Sequence, residues 1–355
     1  MDNRFEQIVM ESKRRPDFGN LLKVLRREAP DRPTLFEFIL NDKLIAKLAG
    51  EALPAGGDGG DRDWLAHGKV AMRAFARAGY DYYPAGAYYI GMTFPRGEQE
   101  RASSYSLNEG VMITDRESFE AYPWPDPDAM DYTILDRLGE AAPEGTKLIS
   151  WGPSGVLENV VGLVGYENLC FMLLDEAALA SDVFDAVGSR LDRYYRRCLE
   201  HEAVGAIIVN DDWGFKTQTM LSPADMRKYV VPWHARIVAA AHEAGRPAIM
   251  HSCGRLEEVM DDVIDVIGMD AKHSYEDTIE PVEQVYDRLG GRIAILGGID
   301  MDFLCRSTPQ QVHERAQAML QRAAGRGGYA LGTGNSVPEY VPQENYFAML
   351  AAALG

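Results

Sequence analysis

The sequence has no apolar run of the ~18 or more residues that a membrane-spanning helix needs, no run of Lys or Arg, and only four cysteines in 355 residues. The first absence excludes a membrane span, and no membrane partner is expected. The second bears on nucleic acids. Asp and Glu number 54 against 36 Lys and Arg, a net charge of −18, so a phosphate backbone would be repelled and nucleic-acid binding is not expected. The cysteines, Cys170, Cys198, Cys253 and Cys305, are scattered and make no disulfide framework. The opening MDNRFEQIVMESKRR is charged throughout and lacks the apolar core of a signal peptide. These readings predict a cytoplasmic protein.

What is present is a repeated alternation of a short apolar run, a polar or glycine-rich break, and a stretch with helical spacing. Eight runs read as buried parallel strands: Pro33–Phe38, Tyr80–Gly86, Leu148–Pro153, Ala206–Asp211, Pro247–Cys253, Gly268–His273, Ile293–Asp300 and Tyr329–Thr333. Between them, helices are predicted over Asp126–Leu138, Leu173–Glu202 and the segment from Ser222-Pro223, where Pro232 kinks or splits the helix. A further helix follows Cys253, with Leu256, Val259, Met260, Val263, Ile264 and Ile267 on one face. Another opens at Ser307-Thr308-Pro309 and closes at Gly325. Eight strand–helix units predict one α/β domain over 1–355, a (β/α)₈ TIM barrel with a helical extension at 1–32. A doubly wound open sheet is the alternative, but no G-x-G-x-x-G follows the first strand. Two inserts, the Gly56–Gly60 loop and residues 87–125, are candidate lids.

In a barrel the chemistry sits where strands end, and the fifth run ends in His251-Ser252-Cys253-Gly254. Residues two apart on a strand share a face, so imidazole and thiol are neighbours, and Zn²⁺ accepts both. Gly254 lets the chain turn without crowding the mouth. The plainer reading makes Cys253 a small buried apolar residue and His251 a hydrogen-bonded core residue. Asp211 and Asp212 end the fourth strand as candidate catalytic groups or ligands, or else as caps. Trp213 is placed beside them as a substrate-facing wall. Asp300 is read as orienting His251 or a substrate hydroxyl, or as capping the helix after it. Asn335 (catalytic) and Glu339 (substrate-binding) follow the last strand, and Tyr82, Tyr83, Tyr88 and Tyr89 are candidate walls of an apolar pocket. His67, His201, His234, His242 and His313 are read as surface residues of helices.

His-Ser-Cys-Gly at this place in a β/α chain resembles the uroporphyrinogen decarboxylase superfamily, in its corrinoid-dependent methyltransferase branch. DRPTLFEF, NDDWGFKTQTMLSPADMRKYVVPWHARIV, GMDAKH, LGGID and Gly332-Thr333-Gly334-Asn335 fit it as well. The resemblance implies a barrel in which His251 and Cys253 bind zinc. It also implies methyl exchange between a small methylated, even methoxy, substrate and a corrinoid (cobalamin) carried by a partner protein. The thiol-activating relatives place a third ligand, a cysteine, where this chain has Thr333. Glu37, Asp211, Asp212, His273 and Glu276 stand at other strand ends as replacements, and His273 with Glu276 matches the place of a zinc-binding glutamate in cobalamin-independent methionine synthases. A carboxylate or imidazole in place of thiolate suits polarising an ether oxygen. The superfamily's decarboxylases hold their polycarboxylate substrate with an Arg-Gln-Ala-Gly-Arg segment. Here the stretch is Phe36-Glu37-Phe38-Ile39-Leu40-Asn41-Asp42, with Glu37 assigned to substrate binding and no arginine. Asp81 lies before the strand end where the decarboxylases carry an aspartate. The alternatives to a methyltransferase are a decarboxylase and a non-catalytic barrel; the oligomeric state, a homodimer included, stays open.

Overall fold

The computed structural model describes residues 4–54, 63–97 and 106–355. Its centre is a parallel sheet of seven strands in sequential order. The strands are β1 (Tyr82–Gly86), β2 (Lys147–Trp151), β3 (Val204–Asn210), β4 (Ala248–His251), β5 (Ala271–His273), β6 (Ala294–Leu296) and β7 (Tyr329–Ala330). Helices follow the strands, as parallel pairing requires, and the curled sheet is an α/β, TIM-barrel-like fold. Each strand is wholly or largely buried, which is why the strands read as near-continuous apolar runs.

The eighth expected strand, Pro33–Phe38, does not form. Its place is held by isolated parallel bridges, Leu35 to Leu331 and Leu40 to Val337. Towards β1 the seam is closed by a side chain: the Tyr82 hydroxyl accepts from the Glu37 N–H at 2.6 Å and donates to the Glu37 carbonyl. A tyrosine thus takes backbone groups that a strand ladder would otherwise pair. The other side of the seam is so close that a Cβ on Gly332 would lie 1.7 Å from the Phe36 carbonyl oxygen. Phe36 stacks on Tyr82 with ring centroids 5.4 Å apart, and Phe38 lies 4.6 Å from His251, filling the interior with aromatic surface.

Several predicted helices are broken. The 173–202 segment divides at Glu176 into Tyr166–Asp175 and Ala177–Leu199. Asp126–Leu138 becomes a short turn, Pro127–Ala129, and a helix, Thr133–Ala141. After the Ser222 cap, a wide turn at Met226–Val230 precedes the helix Val231–Glu243. That helix has Pro232 in its first turn, where a missing N–H costs no hydrogen bond. The stretch after Cys253 is a 3₁₀ turn, Glu257–Val259, and a wide-turn helix, Asp262–Ile267. Thr308 does cap Pro309–Ala323, in a reciprocal box with Gln311.

The N-terminal extension supplies helices Arg4–Glu11 and Phe18–Leu25. Beneath β1, buried Asp81 accepts from the Asp17 N–H at 2.9 Å and pairs with Arg32 at 2.5 Å; it sits on the barrel floor. In the insert over 87–125, described only in part, the described residues include a turn at Ala87–Tyr89 and a helix at Arg116–Ala121. The Gly56–Gly60 loop lies outside the described residues. Among the described residues no single helix is long and apolar enough to cross a membrane; Val156–Val164 and Tyr166–Asp175 reach that threshold only as a pair bent by 95°.

Candidate metal centre

Register builds the centre. Neighbouring strands pair Asn210 with His251 and His251 with His273, so the two imidazoles stand side by side. Their Nδ1 atoms are 2.8 Å apart, and the Nε2 of His273 is 3.2 Å from the Thr333 carbonyl. A carbonyl only accepts, so the Nε2 of His273 carries the proton and its Nδ1 holds a lone pair. His251 therefore donates through Nδ1, and its Nε2 is left with a lone pair. Both rings are neutral. Burial holds His251 well below the usual histidine range, with His273 and Lys272 adding to the effect, and burial brings His273 down to about 3. A neutral imidazole held by its other nitrogen is the form that binds a metal.

Cys253 lies beyond the end of β4 rather than within it. Gly254, at φ +86°, turns the chain there, and a Cβ on it would meet the Gly214 backbone at 2.0 Å. This turn joins the two loops that carry the centre: Asp211 N–H donates to the His251 carbonyl at 2.9 Å, Trp213 N–H to Ser252 Oγ at 3.1 Å, and Cys253 N–H to Asp212 Oδ1 at 2.7 Å. The result brings one donor atom each from Asp212, His251 and Cys253 within 4.8 Å of one another. Among the described residues no other group of this kind forms. Burial, and then Asp212 beside it, push the Cys253 thiol up to about 12. A cation held between sulfur and carboxylate would replace that proton. Carboxylate, neutral imidazole and thiolate suit a Zn²⁺ ion.

The other predicted residues take varied places. Asp211 is fully buried and turned away from the centre. Its oxygens accept from the N–H groups of Leu157 and Glu158 at 3.0 and 2.9 Å, and Trp213 Nε1 and His234 Nε2 each lie 2.9 Å away. It therefore binds the start of the Val156–Val164 helix. Trp213, also fully buried, forms no open wall. His67 and His234, expected at the surface, are buried; His234 serves Asp211. Asp300 caps Met301–Arg306 and accepts from the Asp277 N–H at 2.9 Å. Glu37 is buried and 2.6 Å from the Thr333 hydroxyl, and burial raises its carboxyl to about 8. Tyr83 is buried, its hydroxyl 2.6 Å from that of Tyr89. Glu276 lies outside the three-residue group, 3.9 Å from Lys216, and Glu339 makes an exposed pair with Lys43 at 2.7 Å. Asn335 reaches the centre, its Nδ2 3.3 Å from Cys253 Sγ.

Sequence reasoning passed over three residues here. Ser274 Oγ is 3.3 Å from Cys253 Sγ. Lys272 is buried on the opposite face of β5, donating to the Ser274 carbonyl at 2.7 Å, and burial lowers its ammonium to about 8. Burial, with Asp211 and Asp212, raises Glu158 to about 8. Lys272 lies within the GMDAKH segment, but Ser274 and Glu158 belong to no segment that the sequence marks out.

A curled parallel, TIM-barrel-like sheet with acid, imidazole and thiol gathered at the C-terminal ends of its strands has the framework of a barrel-type enzyme. Residues 112–354 match the family described as uroporphyrinogen decarboxylase (URO-D), and the chain belongs to that family. Curated relatives named uroporphyrinogen decarboxylase include one from Syntrophotalea carbinolica, 30% identical over 42% of this chain and 41% of its own length. Another, from Anaeromyxobacter dehalogenans, is 26% identical over 74% of this chain and 75% of its own. The chain thus spans less than half the length of the first and three quarters of the second. Among solved structures, a methyltransferase from Methanosarcina mazei shares the fold, with a TM-score of 0.68 and 15% identity over 94% of this chain and 97% of that one.

Proposed function

We propose that the protein is a zinc-dependent methyltransferase that moves a methyl group between a small methylated substrate, such as a methoxy compound, and a corrinoid protein. The observation that carries this reading is the convergence of Asp212, His251 and Cys253 within 4.8 Å at the mouth of the barrel. Zn²⁺ held there supplies a Lewis acid for the heteroatom that bears the methyl group. The protein's own residues prepare the place. His273 and the Thr333 carbonyl fix the tautomer of His251, and Asp212 ties the Cys253 backbone in position. A cavity of about 700 Å³, with Glu276, Asp300 and Tyr340 on its walls, meets the centre through Asn335, which lines the cavity and contacts the Cys253 sulfur. The corrinoid arrives on a separate chain. The Methanosarcina mazei structure of the same fold is named a methyltransferase, which supports the reading.

The names of the curated relatives point instead to porphyrin decarboxylation. The stretch Phe36–Asp42 speaks against it, because it offers a polycarboxylate no arginine. The test uses zinc-loaded protein, a Co(I) corrinoid protein and a panel of methoxy compounds. We expect the absorbance of methyl-Co(III) to appear, and uroporphyrinogen to keep all its carboxylates. Coproporphyrinogen above the uncatalysed background, or purified protein that binds no zinc, overturns the proposal.

A further inference from the structure

We infer that Ser274 and Asn335 are positioning residues that draw electron density from the Cys253 sulfur and keep a bound metal electrophilic. The inference rests on the metal-centre reading above and assigns that centre the role of a Lewis acid rather than the holder of a nucleophilic thiolate. Two donors from different loops meet at one sulfur: Ser274 Oγ at 3.3 Å and Asn335 Nδ2 at 3.3 Å. Neither arrangement is accidental packing. The side-chain oxygen of Asn335 accepts from the Ser336 N–H at 2.7 Å, which aims the amide nitrogen at the sulfur.

Ser274 gives the stronger argument. Its φ is +83°, a left-handed conformation that only Arg27 and Ser154 share among the described non-glycine residues. Glycine takes such a conformation without steric cost, and a side chain there is strained. The backbone is tethered on both sides, by Lys272 Nζ on the Ser274 carbonyl at 2.7 Å and by the Tyr275 N–H on the Gly334 carbonyl at 3.0 Å. A serine where glycine fits better points to the work of its hydroxyl, which donates to the Cys253 sulfur at 3.3 Å. Hydrogen bonds to a thiolate compete with the metal for the same electrons. His251 follows the same plan: the group behind it is a neutral imidazole, which leaves it a weaker donor than a carboxylate partner would.

The test loads the 355-residue chain with Co²⁺ and reads the sulfur-to-cobalt charge-transfer band, which Cys253→Ala should abolish. We expect Ser274→Ala and Asn335→Ala each to move the band to longer wavelength. Ser274→Gly should give the same spectral shift with a higher melting temperature, because it removes the hydroxyl and the strain together; it also guards against an alanine variant that folds poorly. Bands coincident with wild type in Ser274→Gly and Asn335→Ala overturn the inference. A wild-type protein with no thiolate band overturns the metal centre as well. Shifted bands without methyl transfer leave this inference standing and remove the proposed function alone.

Discussion

Behind the end of β3 and in front of it lie two assemblies built from the same parts, an aspartate and a histidine. Behind it, Asp211 and His234 are both fully buried and 2.9 Å apart, and Asp211 also takes two backbone N–H groups and the Trp213 indole. In front, Asp212 accepts the Cys253 N–H, while His251 and Cys253 bring their donor atoms to the same point. In the first assembly every contact is a protein donor aimed at the carboxylate. In the second, acceptor atoms of three residues converge on one point, and the sulfur among them takes donors from Ser274 and Asn335. The difference separates an anchor from a site, although the two aspartates are consecutive in sequence.

Exchanging the two roles by mutation tests the contrast most severely. Asp211→Ala leaves a helix start, an indole and an imidazole without their buried acceptor, and should cost about 3–5 kcal/mol in chemical denaturation. Cys253→Ala should do the reverse: metal affinity falls by about 100-fold or more, while the metal-free protein unfolds within about 1 kcal/mol of wild type. If Cys253→Ala destabilises as much as Asp211→Ala, the front assembly is an anchor too.

Glu37 sharpens the comparison as a buried carboxyl with few donors. Its pKa in the folded state is raised to about 8, above the usual ~4.3 of the unfolded chain. The stability it contributes is therefore full below about pH 4.3 and is lost as pH rises through about 8. Glu37→Gln should flatten the fall in melting temperature between those values and stabilise the protein at pH 8.5. A wild-type melting temperature that does not fall across this range contradicts the assignment.

The smallest effect is expected at Glu339, an exposed partner of Lys43. Glu339→Ala should change stability by less than about 0.5 kcal/mol and leave metal affinity unchanged. A larger change in either would bring this residue back to the site.

The sequence made the pair His251 and Cys253 legible because a two-residue spacing at a strand end survives small errors in the strand's length. Cys253 lies past β4, yet the turn at Gly254 keeps its sulfur beside His251. The same alternation says that only one of Asp211 and Asp212 faces inward, but not which one. That choice is made by His234 on a distant helix and by the start of the Val156–Val164 helix, partners that no local pattern reveals. The strand segments from Tyr80 onward were readable from apolar runs, whereas Pro33–Phe38 carries the same signal and forms no strand. There the partner on the β1 side is a tyrosine hydroxyl, and only an isolated bridge joins the segment to Leu331. Ser274 left no trace, since nothing in its neighbourhood announces a left-handed backbone.

Thr333 reaches the centre through its carbonyl, which determines the open nitrogen of His251 by way of His273. Every amino acid supplies that carbonyl. The tautomer of His251 therefore does not depend on which side chain stands at this turn, while the Thr333 hydroxyl is committed to Glu37 at 2.6 Å.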